Sequence, residues 1–356
     1  MAQRISPQSS TLFLLLLSIF QQTEMMSSDY STPIDTPEGA PPAETKEQST
    51  PSTLVEGAAV TLVKEGTKDE GVHYSAQLRS DWCIGVVPHG GYLTTVLINV
   101  STHYFIHSSV AKALDQPHAI HSALTFITRC SIGPATIHVT PLKLGRQYSF
   151  VRIVLRQNGH VCIDATITHA CISRETGATL ETRGMGAYPD LPDRVRDCKE
   201  MRLSQDPSLV FRVATSKLKY CFPIEGKYGF GRAGMGPSIR EQWVALDDGS
   251  GKRFGVADLG FLCDMFIPIP ENYPQTKRLH WYPTLSLSLD VKALPPKEGW
   301  EWLYCRIESS VIRGGRMDID VVICDEDSNI VAISRHVAVV VDSARNTAKQ
   351  APVAKL

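Results

Sequence analysis

Asp264 stands in the run Leu259-Gly260-Phe261-Leu262-Cys263-Asp264-Met265-Phe266. A carboxylate among such side chains is expensive to bury unless it is paired or given a task. Buried, it can take a proton from a water molecule or orient one. The alternative is an exposed helix face or an end cap. A second candidate is His89-Gly90-Gly91, just ahead of the apolar stretch Tyr92 to Phe105. A helix opened by glycines presents backbone N–H groups at its N-terminus, where they can face an oxygen that gains charge. The same glycines also suit a tight turn with close packing. Thr284 follows a proline at the start of a β-rich run, and its hydroxyl both donates and accepts. His336 lies in another β-rich run, where a satisfied core histidine is the competing reading.

Other chemistry finds less support. His103 and His107 are four apart, and His118 and His121 three apart. No acid or cysteine completes a metal set around either pair, so no metal is expected. There is no GxSxG nucleophile turn, no P-loop, and no GxGxxG followed by an acid at the right distance. Arg129, Lys143, Arg146 and Arg152 could meet phosphates, although single basic residues on sheet edges are usually just solvated. With 36 basic and 37 acidic residues, neither nucleic acid nor an anionic membrane is favoured as a partner. The nine cysteines form no framework and no CxxC, which suggests reduced thiols and an intracellular setting. Cys162, Cys171, Cys263 and Cys305 lie in apolar runs and read as small core residues.

The chain's ends carry address-like signals. Thr11 to Phe20 has the length of a signal-peptide core and is too short to span a bilayer. Only Arg4 charges the segment before it, no A-x-A site follows, and Met25 and Met26 come just after. Residues 1–24 are therefore expected not to belong to the working protein, and the polar 27–54 stretch to be disordered. At the other end, Ala354-Lys355-Leu356 resembles the peroxisomal address Ser-Lys-Leu. A peroxisomal location is expected, with the cytoplasm as the alternative.

The elements that must position these residues come in two matching sets. In the first, the helix after His89-Gly90-Gly91 is followed by strand-like segments at Ser122–Thr128, Ala135–Leu144, Tyr148–Gln157 and His160–Ser173. Alternation and β-branched content support them, and Asn158-Gly159 marks a hairpin. In the second, a helix-like segment Ala257–Ile267 precedes strands at Thr284–Ala293, Trp302–Ile312, Met317–Asp325 and Ile330–Val341. The turn Asp325 to Asn329 takes the place of Asn158-Gly159. A long helix followed by antiparallel strands, twice over, predicts an α+β duplication with each helix wrapped by sheet. The expected bounds are a non-native or disordered lead at 1–54, a first domain at 55–189, a linker at 190–207, a second domain at 208–342 and a tail at 343–356.

Pro88-His89-Gly90-Gly91-Tyr92-Leu93, Gly133-Pro134, Gly145-Arg146 and Gln157-Asn158-Gly159 together resemble the first half of the acyl-CoA thioesterase II-like, double hotdog proteins. Asp258 to Asp264, Pro283-Thr284-Leu285 and Val331 to His336 are similar to their second half. The resemblance spans about residues 60–342 and implies two tandem hotdog domains. It further implies hydrolysis of an acyl-CoA, with CoA part of the substrate, no cofactor, and assembly into homo-oligomers. The family's catalytic group is an Asp, a Thr and a Gln around a water. Asp264 and Thr284 fall at the first two positions, and His336 occupies the Gln position. His89, Gly90 and Gly91 are then the expected substrate-binding, oxyanion-facing residues. If His336 holds the water as Gln would, protonation removes its acceptor and activity falls on the acid side. The changed residue leaves two alternatives open: a non-hydrolytic CoA-ester binder or scaffold of a biosynthetic pathway, and a hydratase or dehydratase. Hotdog hydratases carry an acid and a histidine near the first helix, and Gly90–His103 holds no acid.

Overall fold

The stretch after His89 is apolar on nearly every side, which suits a helix enclosed by other elements. The computed structural model describes residues 51–180, 191–205, 209–224, 235–273 and 280–343. Its helices are α1 (Leu54–Gly57), α2 (Gly90–His107) and α3 (Leu259–Leu262). Along α2, twelve of eighteen residues are buried, from Gly91 to Phe105, so the expected wrapped helix is present.

The first half supplies β1 (Val60–Lys64), β2 (Val72–Leu78), β3 (Cys83–Ile84) and β4 (Val87–Pro88). It continues with β5 (His118–Phe126), β6 (Gly133–Lys143), β7 (Ser149–Gln157) and β8 (His160–Ala170). The second half begins with β9 (Cys198–Met201), β10 (Leu218–Pro223), β11 (Ile239–Leu246), β12 (His280–Trp281) and β13 (Thr284–Val291). It ends with β14 (Leu303–Glu308), β15 (Ile312–Arg313), β16 (Arg316–Cys324), β17 (Ile330–Val339) and β18 (Val341–Asp342). Alternation of buried and open positions, strict in β2 and β7, gives such strands one face toward the core and one away, whereas β11 is buried along nearly its whole length. The β7–β8 hairpin closes on Asn158 and Gly159, both at positive φ (50° and 78°), as its two-residue turn requires. The second turn also forms where expected: Asp325 N–H donates to Asn329 O at 3.0 Å.

Two small ribbons, β3–β4 and β12–β18, stand apart. All other strands join one fourteen-stranded antiparallel sheet in the order β1-β2-β6-β7-β8-β5-β13-β17-β16-β14-β11-β10-β9, with β15 beside β16. Outward from the β5–β13 junction the order is β8-β7-β6 on one side and β17-β16-β14 on the other. The duplication is thus a tandem hotdog α+β fold with a continuous sheet through the middle. Leu287 pairs with Leu124 across the junction and with His336 on its other side. Among the described residues no helix is long and apolar enough to cross a membrane.

Several expectations are corrected. Among the described residues the second half has no long helix: α3 is a single turn, and Pro268 and Pro270 bar a helix from resuming beyond the turn that follows it. The end of the expected lead, residues 51–54, belongs to the packed structure, since Ser52 is buried and donates to Asp81 Oδ2 through N–H (2.6 Å) and Oγ (2.9 Å). Lys217 Nζ, from the second half, donates to the same carboxylate at 2.9 Å. The 190–207 linker contributes a strand, β9, paired to β10. Strands β1, β2, β10 and β11 were not anticipated. Cys162, Cys263 and Cys305 are buried, but Cys171 is only partly so, with its Sγ 3.3 Å from Ser173 Oγ. Thr11–Phe20 and Ala354-Lys355-Leu356 lie outside the described residues.

Candidate active site

The two central helices cross where their glycines meet. A Cβ on Gly91 would lie 2.5 Å from Phe261 O, and one on Gly260 would lie 2.9 Å from Thr95 N. Thr95 Oγ1 also donates to Ala257 O at 3.0 Å. Glycine at these places lets the N-terminus of α2 touch the turn that follows α3, and Asp264 sits on that turn. A Cβ on Gly90 would come within 2.5 Å of Asp264 Oδ2.

Asp264 is held from three sides. Gly91 N–H donates to Oδ2 at 2.9 Å. His89 Nε2 is 3.0 Å from the Asp264 backbone O and 3.5 Å from Oδ2. His336 Nδ1 is 3.4 Å from Oδ1. Next in the chain, Met265 O accepts from the buried Gln242 Nε2 at 2.8 Å, which fixes the turn. Burial raises the Asp264 pKa, but His89, His336 and the Gly91 N–H outweigh it, and the carboxyl is held below its usual range. The site therefore carries an ionised carboxylate at neutral pH.

His89 caps α2. Its Nδ1 accepts from Tyr92 N–H at 3.4 Å. The carbonyl facing Nε2 can only accept, so Nε2 carries the proton and the ring is neutral. Burial, the largest influence, keeps its pKa below the ordinary value against the pull of Asp264. His89 thus supports Asp264. Gly91's N–H is likewise committed to the carboxylate. Among the described residues the Gly90 N–H has no acceptor, and it remains available to a ligand.

A cleft of about 280 Å³ opens beside this carboxylate. Asp264, Thr284, His89 and Gly90 line it, together with a largely apolar wall that includes Phe126, Phe211, Phe266, Trp281 and Met317. The cleft lies between the halves, which supply the wall jointly. Thr284 reaches it because a bulge between Thr284 and Ser286 sets it opposite Ala338, another lining residue. His336 is not on this wall. It is 1% exposed and stands behind Asp264, on the inward face of β17 with Ser334 and Ala338.

Five of the six sequence-selected residues (Asp264, His89, Gly90, Gly91 and His336) therefore meet around one carboxylate, and Thr284 shares the cleft with three of them, Asp264, His89 and Gly90. Of the four basic candidates, only Arg129 lines the cleft. Arg152 pairs with Asp164 through Nε at 2.9 Å and Nη2 at 2.5 Å. Ser334, Gln242 and Arg212, a lining residue bonded to Glu271, were missed. Only Ser334 left a signal, two residues before His336 on the same strand face. Among the described residues no three His, Cys, Asp or Glu side chains cluster as metal ligands would.

Two helices crossing at glycines inside a shared sheet, with one carboxylate at the crossing, define a double hotdog architecture. Residues 78–170 match the acyl-CoA thioesterase N-terminal domain, and residues 195–340 its C-terminal domain. A thioesterase-like protein of Talaromyces wortmannii, TwmA, is 25% identical over 357 residues, covering 84% of this chain and 97% of that one. A Thermobifida fusca structure classed as a thioesterase II superposes with a TM-score of 0.62 at 25% identity, over 82% of this chain and 98% of that one. A hotdog-fold protein from Alicyclobacillus acidocaldarius gives a TM-score of 0.64 at 16% identity, over 84% and 98%. The chain belongs to the acyl-CoA thioesterase II-like family of double hotdog proteins, and so to a family of thioester hydrolases.

Proposed function

We propose that this protein hydrolyses an acyl-CoA to a free acid and CoA, with Asp264 as the general base. The observation that carries this reading is the Asp264 carboxylate, held by the Gly91 N–H at 2.9 Å on the wall of an apolar cleft, with Thr284 on the same wall. A water between the two would give its proton to Asp264 as its oxygen bonds to the thioester carbon. The carbonyl oxygen gains charge in that step, and the N–H of Gly90, a cleft-lining residue, would receive it. The C–S bond then breaks, and Asp264 returns the proton to the leaving thiolate. The acyl chain lies along Phe126, Phe211, Phe266, Trp281 and Met317. His336 acts on Asp264 rather than on the water, because it is off the cleft.

Purified protein incubated with a panel of acyl-CoAs, with free thiol followed in time, tests the reading. Thiol release with at least one member, lost in Asp264→Asn, is the expected result. Tight binding by calorimetry with no thiol release across the panel would reject hydrolysis and leave a CoA-ester binder.

A further inference from the structure

Where the proton on His336 sits follows from its partners, once hydrogens are placed by what each atom can do. Ser334 Oγ is 2.5 Å from Ser288 O. A carbonyl only accepts, so the one hydroxyl proton of Ser334 goes there. The same Oγ is 2.8 Å from His336 Nε2, and it has only lone pairs left to offer. Nε2 must therefore carry a hydrogen. That leaves Nδ1, which is 3.4 Å from Asp264 Oδ1 and makes no hydrogen bond at its present distance. A neutral ring would point a lone pair at a carboxylate oxygen. A doubly protonated ring points an N–H at it.

Among the described residues the surroundings leave Nδ1 no other partner. In register with His336 are Leu287 of β13 and Ile319 of β16, both apolar and buried. From the α3 turn come Asp264, the Phe266 ring at 6.3 Å and the buried thiol of Cys263, whose Sγ donates to Gly260 O at 3.2 Å. Beyond Cys263 lies the buried thiol of Cys305 of β14. From the α2 side comes His89, neutral by the argument above, with the Arg212 guanidinium bonded to Glu271 beyond it. Oδ2 of Asp264 already faces the Gly91 N–H and His89 Nε2, so a third donor on Oδ1 completes an ionised carboxylate.

We propose that His336 is held as an imidazolium against the Asp264 carboxylate, and that it is a positioning residue whose proton keeps the general base ionised and in place. The kinetic part of this proposal rests on the hydrolytic reading; the protonation state does not. The pair is neutral overall, which makes its burial tolerable where either ion alone would not be. A consequence is the direction of the pH response. Raising the pH strips Nδ1 and turns an attraction into a lone-pair repulsion. Activity should then fall on the alkaline side, opposite to the acid-side loss expected for a neutral histidine that lends an acceptor to the water.

Nitrogen NMR of protein with ring-labelled histidines tests the state without any substrate, the His336 signals being those absent from His336→Gln. Both ring nitrogens protonated at neutral pH is the expected result, with one proton lost in Asp264→Asn at the same pH. An unprotonated nitrogen on His336 in the native protein would overturn the proposal, whether or not any acyl-CoA is turned over. In pH–rate profiles, the native enzyme should lose kcat/KM on the alkaline side and His336→Gln should not, since an amide donor does not titrate. Ser334→Ala removes the acceptor that forces Nε2–H and so makes the neutral Nδ1–H tautomer available. Its alkaline limb should vanish or move to higher pH while His336 remains. Should His336→Gln fail to fold, Asp264→Asn identifies the signals and Ser334→Ala supplies the kinetic comparison. Alkaline limbs that superimpose in the native and Ser334→Ala enzymes would reject the positioning role.

Discussion

Asp264 is the residue on which the chemistry turns. Its carboxylate has three N–H-bearing groups around it and one open wall. Asp264→Asn keeps the shape but removes the base, so kcat should fall at least ~10²-fold with the fold intact. Thiol-release kinetics together with circular dichroism check this, and unchanged turnover would place the base elsewhere. Because Asp264 is held below the usual carboxylate range, it stays ionised until the pH drops beneath that range. The rate should therefore show no acid limb near neutrality that traces to Asp264. Much of this site was legible in the residues, since a lone carboxylate among Phe261, Leu262, Met265 and Phe266 asks for an explanation. The division of labour was not. That His89 supports the carboxylate, that Ser334 orients His336, and that His336 lies off the cleft all depend on which side chains meet across elements, which spacing along one strand or helix does not encode.

At the scale of elements, the crossing of α2 with the α3 turn decides the geometry. The Gly90-Gly91 pair was open to two readings, close packing or a ligand-facing role, and the structure divides them between the two residues. A methyl on Gly91 would press on Phe261 O, a backbone atom with nowhere to retreat. Gly91→Ala should therefore destabilise the protein by about 1–3 kcal/mol, the usual penalty for overpacking. A methyl on Gly90 would press on the Asp264 carboxylate, a side chain that can turn aside. Gly90→Ala should keep its melting temperature more nearly and lose turnover more sharply. Calorimetry of both variants beside their kcat values separates the two; equal effects on both measures would show that the helices do not meet at these residues as described. The strands flanking each turn were legible because alternation has period two and Asn158-Gly159 has a strong turn preference. The single-turn α3 was not, because an apolar run followed by prolines fits a long buried helix as well as a short one until its packing is known. Strands β1, β2, β10 and β11 precede their helices in the chain and so lie outside the helix-then-strands repeat that is legible in the sequence.

Among the described residues of the whole molecule, one fourteen-stranded sheet carries both halves of the fold and packs on the two crossing helices. The halves match over four strands outward from the junction, β5-β8-β7-β6 and β13-β17-β16-β14, yet three contacts argue against treating them as separable. Strand β5 pairs with β13 along five consecutive residue pairs, from Ser286 and Thr125 to Asp290 and His121. The N-terminus of α2 packs on the α3 turn without space for a methyl. Lys217 of the second half is buried against Asp81 of the first, and removing one member of such a pair typically costs about 3–5 kcal/mol. A half expressed alone would leave that charge unpaired and β5 or β13 as an open edge, a template for aggregation. The chain should consequently unfold as one unit, unlike two domains on a linker. Hydrogen exchange followed by mass spectrometry across a urea series can read β7 and β16 separately, one strand from each half. The expected outcome is a shared midpoint, with the fragment 51–180 insoluble or unfolded by itself. Two well-separated midpoints, or a soluble fragment with native helix content, would show that the β5–β13 junction is a contact between independent domains and that the cleft is assembled only after each has folded.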